Sequence, residues 1–328
     1  MNELYPLKFK PVFKEKIWGG QQIKTRLGMD FSPLPNCGEA WILSGYGDDI
    51  SEVSNGFLEG NALDELIEVY MGDLIGEEVY EKHGTRFPML IKILDTTDWL
   101  SVQVHPDDEK AQLSGEENGK TEMWYISSAA ADSAIINGLK KGTTSEKLEK
   151  AVAGNDLLNI LNKQPVKGGD VFHLEAGIVH ALGPDIMLYE IQQSSDTTYR
   201  FYDFDRTDNN GNKRELHISE AINAVNFEKP LAEPVEYERT INKSVPLVHC
   251  NYFNTNIMYF GTQVVKDYSG IDSFVLLLCT EGECRIESGH TEILKPGEII
   301  LIPAVTETVT ITPVKNSTLL EITYPLNS

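Results

Sequence analysis

What most constrains this chain is its punctuation. Short apolar runs recur along its 328 residues, among them Met89-Leu-Ile-Lys-Ile-Leu, Ser133-Ala-Ile-Ile-Asn, Asp170-Val-Phe-His-Leu, Ile186-Met-Leu-Tyr-Glu-Ile, Phe274-Val-Leu-Leu-Leu and Glu298-Ile-Ile-Leu-Ile, bounded by Gly, Pro, Asp and Asn. Runs of this length and bounding read as strands. Many short strands at modest spacing predict an all-β-dominated chain folded as barrels or jelly rolls. Three stretches break the pattern: 62–82, with Leu63, Leu66, Ile67, Tyr70 and Met71 at helical spacing; 143–162, opened by a capping box of Thr143 and Glu146; and 217–226. They read as a few helices packed outside the N-terminal barrel, with their apolar stripes facing the core.

A faint internal repeat refines this picture. Gly169-Asp-Val-Phe-His-Leu-Glu-Ala-Gly-Ile-Val-His180 aligns with Gly297-Glu-Ile-Ile-Leu-Ile-Pro-Ala-Val-Thr-Glu-Thr308. Both resemble the Gly, Pro, Gly, His order of the second cupin motif. The first copy has Glu175 in place of Pro but keeps Gly177 and His180; the second keeps Pro303 but has Val305 for Gly and Thr308 for His. The resemblance implies two cupin-type jelly-roll barrels: a catalytic domain over 1–238 and a metal-free, cupin-like copy over 239–328. The polar, Pro-containing stretch 228–238 reads as their linker.

Chemistry concentrates between residues 103 and 206. Gln103 and His105 lie two positions apart on an extended run, so their side chains share a face. Glu122 and His180 each sit in a strand-like stretch preceded by a Gly turn. Two imidazoles, a carboxylate and an amide oxygen form an N/O donor set suited to a divalent metal, zinc first, with room for water or substrate. Taken singly, each His also fits a satisfied core or surface histidine. His173, alternating with Phe172, reads as packing, and Asp107 and Asp108 read as turn caps or as acceptors orienting an imidazole.

Four segments occur in order: Gln103-Val-His-Pro-Asp-Asp, Gly119-Lys-Thr-Glu-Met-Trp-Tyr, Gly177-Ile-Val-His-Ala, and Gln192-Gln-Ser-Ser-Asp-Thr-Thr-Tyr-Arg-Phe-Tyr-Asp-Phe-Asp-Arg206. With Lys10-Pro-Val-Phe-Lys-Glu-Lys-Ile-Trp-Gly-Gly20 and Gly38-Glu-Ala-Trp-Ile-Leu-Ser44, they resemble the signature segments of type I mannose-6-phosphate isomerases in their shorter bacterial form. The resemblance implies one zinc per chain held by Gln103, His105, Glu122 and His180, a catalytic Arg200, and interconversion of mannose 6-phosphate and fructose 6-phosphate through an enediol. Lys120 shares the face of Glu122 and is a second catalytic candidate. Arg200 also fits a strand-edge ion pair with Asp203 or Asp205, and Lys120 also fits an exposed lysine after a Gly turn. Two other classes stay open. Two His and one carboxylate also describe a non-haem iron dioxygenase, and cupins include non-catalytic sugar-binding proteins.

The formal charge of −22 excludes nucleic acid and anionic membrane surfaces as partners, since both need basic patches. It also demands a local cationic pocket for a sugar phosphate, for which Lys120 and Arg200 are the candidates. No protein partner is implied. Cys37, Cys250, Cys279 and Cys284 lack metal-ligand spacing and read as free thiols, with Cys279 and Cys284 facing each other across a turn. Met1-Asn-Glu-Leu-Tyr-Pro lacks the features of a signal peptide, and the expected location is cytoplasmic. Asn209-Asn-Gly-Asn reads as a turn.

Overall fold

Strand alternation, more than any single element, determines where the polar residues of this protein meet. The computed structural model describes residues 3–207 and 211–326, so Asn209 and Asn210 of the expected turn lie outside the described residues. Contacts divide the chain into two compact units, one of residues 1–12, 41–91 and 236–328, the other of 13–40 and 92–235. The unit boundary runs through the strands Glu39–Tyr46 and Met89–Thr96.

In the first unit, an eight-stranded sheet joins Leu7–Lys8 to the C-terminal strands, in the order Leu7–Lys8, Ile299–Ile302, Val275–Ser288, Thr308–Thr323, Asn254–Phe260 and Ser244–His249, with Val264–Asp267 also paired to Thr308–Thr323 and His290–Leu294 to Val275–Ser288. Its core includes Phe260, Val275, Leu277, Ile300, Ile302 and Leu319. The helical stretch near 62–82 belongs here, in three pieces, Leu63–Tyr70, Gly72–Ile75 and Glu77–His83. It therefore groups with the C-terminal strands rather than beside the N-terminal ones, where sequence order had put it. The reason is specific pairing. Phe274 N–H donates to Ile75 O, Ala304 N–H donates to Leu74 O, and the Asp272 carboxylate accepts from Glu77 N and Glu78 N at 2.8 and 3.0 Å, capping the third helix.

The second unit carries a five-stranded sheet in the order Tyr199–Tyr202, Val102–Val104, His180–Leu182, Ala134–Leu139 and Leu161–Pro165. Facing it are Val171–Leu174, Glu122–Ala129 and Ile186–Gln193, antiparallel neighbours in another sheet. Period-two alternation sorts the side chains. Leu182 and Ile135 join Trp124, Ile126, Leu188 and Trp18 in one buried cluster drawn from both sheets. Val102, Val104, Ile136 and Ala181, on the opposite face, pack with Leu148 and Ala221 from the helices Ser145–Ala153 and Ile218–Ala224. Each fully buried Val, Leu or Ile stabilises by roughly 1.5–3 kcal/mol, so both faces are firmly held.

Details of the helices differ from the sequence reading. Thr144, not Thr143, caps the helix at Ser145–Ala153, accepting from Lys147 N at 3.4 Å, while Thr143 Oγ1 donates back to Lys140 O. That helix ends early, at Gly154 and Asn155, the latter at φ +53°, and Leu161–Pro165 is already a sheet strand. The short helices Gln22–Leu27 and Asp108–Leu113 were not anticipated. The repeat is visible in the backbone: Val171–Leu174 and Ile299–Ile302 are equivalent strands, and His180 and Thr308 each begin the next one. All four cysteines are free; Cys279 and Cys284 interact in the first unit's core, where their contact and burial push the Cys279 thiol far up. Among the described residues no helix is long and apolar enough to cross a membrane.

Candidate metal centre and substrate pocket

Register brings the predicted donors together. His180 pairs with Gln103 across neighbouring strands, and Arg200 pairs with Gln103 on its other side, so three strands present these side chains at one level. Glu122, the first residue of the strand facing them, comes from the other sheet, and His105 follows directly after Val104. The loop before His180 turns at Gly177, whose φ of +90° and close approach to Asn226 leave no room for a Cβ. Its N–H donates to His105 O at 2.9 Å, tying the two histidine segments.

His105, Glu122 and His180 offer ligand atoms that all lie within 4.8 Å of one another, and each residue is at most 2% exposed. His105 Nδ1 meets Thr197 O at 2.7 Å and His180 Nδ1 meets Ile178 O at 2.9 Å. A carbonyl can only accept, so both Nδ1 atoms carry the proton and both Nε2 atoms present lone pairs. Those lone pairs face Glu122: His105 Nε2 is 3.6 Å from Oε2 and His180 Nε2 is 3.4 Å from Oε1. Among the described residues His105 Nε2 and both Glu122 oxygens are buried without a hydrogen-bond partner, with Lys120 Nζ 3.4 Å from Oε2. Converging acceptors with no proton between them are electrostatically unfavourable unless a cation sits among them. Burial, with Lys120 and His180 adding to it, pushes the His105 imidazole well below its ordinary value, and burial likewise brings His180 to about 4. Both rings are therefore neutral ligands at physiological pH.

Gln103 is the fourth predicted donor. Its Nε2 lies 3.3 Å from His180 Nε2, and its Oε1 accepts from Ser101 Oγ at 3.2 Å. In this placement it directs an N–H at the imidazole; a half-turn of the amide directs Oε1 there instead, with Ser101 Oγ accepting from Nε2. Asp107 and Asp108 take no part. Asp107 caps its helix at Lys110 N and Asp108 accepts from Gly119 N and Gln193 Nε2.

Lys120 is 4% exposed, with Nζ 3.4 Å from Glu122 Oε2, and it lines the pocket together with His180 and Gln103. It is no surface lysine. Arg200 lines the same pocket, with Nε buried and unpartnered among the described residues. Among the described residues Arg200 forms no ion pair with Asp203 or Asp205: Asp203 is held by Arg206 and Arg214, and Asp205 by Lys213.

Sequence reading missed Lys16, Lys92 and Arg214, which bring the lining cations to five, against three acids, Glu39, Glu190 and Asp196. That excess is the local reversal a chain of charge −22 needs for an anionic ligand. Lys92 is 2% exposed and lies 3.5–3.7 Å from Asp196, Glu190 and Glu39. Burial opposes its charge, but Glu39 and Glu190 outweigh it, so the ammonium is retained. Glu190 in turn accepts from Trp124 Nε1 at 2.9 Å, and the Trp124 ring meets His180 edge-on at 5.5 Å. The signal in the sequence was a charge inside each of two otherwise apolar strand runs, which is costly unless paired.

Comparison with known proteins agrees with this geometry. A mannose-6-phosphate isomerase of Streptococcus mutans is 37% identical over 300 residues, covering 91% of this chain and 92% of its own length. The chain belongs to the mannose-6-phosphate isomerase family. A second member, ManA of Bacillus subtilis, is 39% identical over 306 residues, covering 91% of this chain and 93% of its own. The family model for the type I phosphomannose isomerase catalytic domain matches residues 6–123. The crystal structure of the mannose 6-phosphate isomerase from Bacillus subtilis superposes with a TM-score of 0.86 at 32% identity, over 97% of this chain and 99% of that one.

Proposed function

We propose that the chain is a zinc-dependent aldose–ketose isomerase that interconverts mannose 6-phosphate and fructose 6-phosphate through an enediol. The observation that carries the reading is the convergence of buried ligand atoms from His105, Glu122 and His180 next to a pocket that His180 also lines, with five lining cations. Family membership at 37–39% identity supports the substrate.

Two neutral imidazoles and one carboxylate suit zinc, and His105, Glu122 and His180 would hold it, with the Gln103 amide as a further donor. When bound, the metal supplies Lewis-acid polarisation of the sugar oxygens. The chain's own residues do the rest. Thr197 O and Ile178 O fix both imidazole tautomers. Lys120 Nζ, beside Glu122, is a charged donor for an oxygen of the C1–C2 unit, on which negative charge grows as the C2 proton leaves. Arg200 is the second such donor, planar and able to present parallel N–H groups. Trp18, Trp124 and Leu100 line the pocket and exclude water from the reacting carbons.

The test is metal analysis of the purified chain together with an isomerase assay on mannose 6-phosphate. The expected result is about one divalent ion per chain, activity lost on chelation and restored by zinc. Full turnover after verified metal removal would sink the metal-dependent part, and oxygen consumption without isomerisation would point to a dioxygenase.

A further inference from the structure

The pocket's most distinctive unassigned residue is Arg214. It reaches the pocket wall beside Arg200, and the two guanidinium groups oppose each other's charge: burial first, then Arg214, moves Arg200 downward from its ordinary value. Two cations placed together on one wall are uphill without an anion between or before them. Nearby acids do not fill that role. Asp203 sits behind Arg214, 6% exposed, accepting from Arg214 Nε at 2.7 Å and from Nη2 at 2.5 Å. The same carboxylate accepts from Arg206 Nη2 at 2.5 Å, so one negative charge is divided between two guanidiniums. Arg206 is committed elsewhere as well, donating from Nη1 to Trp99 O and lying 3.4 Å from Asp98. Burial would raise the Asp203 carboxyl, but the hydrogen bonds from Arg214 and Arg206 hold it below the usual range, so it remains an anion that orients Arg214. Asp203 also acts on Arg200, ahead of Asp196 and Glu215, so its single charge is shared more widely still.

The fork geometry completes the picture. Nε and Nη2 of Arg214 are spent on Asp203, which fixes the plane of the guanidinium and leaves the Nη1 edge as its free donor face. We propose that Arg214, aimed by Asp203, anchors the phosphate group of the sugar phosphate, with Asp203 a positioning residue and Arg200 left to the reacting end. A phosphate monoester carries a charge near −2 at neutral pH and several acceptor oxygens, which suits a fixed guanidinium edge in a pocket whose lining cations outnumber its acids. This rests on the isomerase reading of the same pocket and adds to it the residues that recognise the phosphorylated end of the substrate.

Arg214→Gln, Arg214→Lys and Asp203→Asn, each checked for metal content, test it against mannose 6-phosphate. A lost charged hydrogen bond of about 1.5–3 kcal/mol corresponds to roughly a 10–150-fold rise in KM, with kcat within about threefold of wild type. Inorganic phosphate should inhibit the wild type competitively, and its inhibition constant should rise in parallel in Arg214→Gln. Arg214→Lys should recover part of both, and Asp203→Asn should move KM in the same direction. A folded, metal-loaded Arg214→Gln with unchanged KM and unchanged phosphate inhibition would overturn the assignment, as would a loss confined to kcat. Direct titration with inorganic phosphate at matched ionic strength, read by thermal shift, separates this from the function itself. A wild-type chain that fails to isomerise refutes the isomerase reading, while phosphate stabilisation lost in Arg214→Gln and partly kept in Arg214→Lys still reports the anion site.

Discussion

Changing Glu122 to Gln removes the one negative charge among the converging donors while keeping its shape. Among the described residues His105 Nε2 and Glu122 Oε1 are buried without a hydrogen-bond partner, and Glu122 Oε2 has only the Lys120 ammonium at 3.4 Å. At about 1–3 kcal/mol each, the first two represent roughly 2–6 kcal/mol of unmet polar interaction that a bound cation recovers. A metal present at about 100 times its Kd adds about 2.7 kcal/mol to stability. For chains of this size class each kcal/mol moves Tm by roughly 2–4 °C, so chelation should lower the wild-type Tm by about 5–10 °C. Differential scanning fluorimetry with and without zinc, after exhaustive chelation, measures that difference directly. In Glu122→Gln the neutral amide cannot balance the ion, and the metal-dependent difference should collapse to below about 2 °C. The variant's own metal-free Tm is not the readout, because Lys120 Nζ, 3.4 Å from Glu122, loses its partner too. A wild-type Tm indifferent to chelator, or a Glu122→Gln Tm as sensitive as wild type, would show that these three residues do not hold the ion.

Other outcomes follow from the same geometry. Thr308→Ala should leave metal content and turnover near wild type, because Thr308 is exposed at its strand start, whereas His180→Ala should lose both; matching losses would make the second repeat a working site. Arg200→Lys should lower kcat by about 100-fold with bound metal unchanged if the guanidinium acts on developing charge, and steady-state kinetics with wild-type constants would remove it from the reaction. His83 is held at about 4, chiefly by burial and then by Lys82, so the unfolded chain binds its proton first as pH falls. Its contribution is present above about 6.5 and is lost between there and about 4; His83→Gln should flatten that part of the stability curve by roughly 2 kcal/mol, and equal slopes in denaturant titrations at several pH values would refute it.

Much of this protein was decided locally. Strand punctuation and the period-two placement of Gln103 against Val102 and Val104 are properties of the chain itself, since an extended backbone puts alternate side chains on opposite faces whatever it packs against. The repeat ending in His180 and Thr308 was legible for the same reason: a turn followed by a strand is a local event. Helix ends were less legible, because Thr143 and Thr144 are equally able to cap and only the surrounding hydrogen bonds chose between them. Tertiary structure decided what no spacing encodes. It set Glu122 from one sheet against His105 and His180 on the other. It buried Lys92 and Glu190 together, and it held Arg214 on the carboxylate of Asp203 in the pocket that Arg200 lines. Those pairings join residues from 11 to 98 positions apart, and the desolvation that gives them their chemistry exists only once the two sheets close over the pocket.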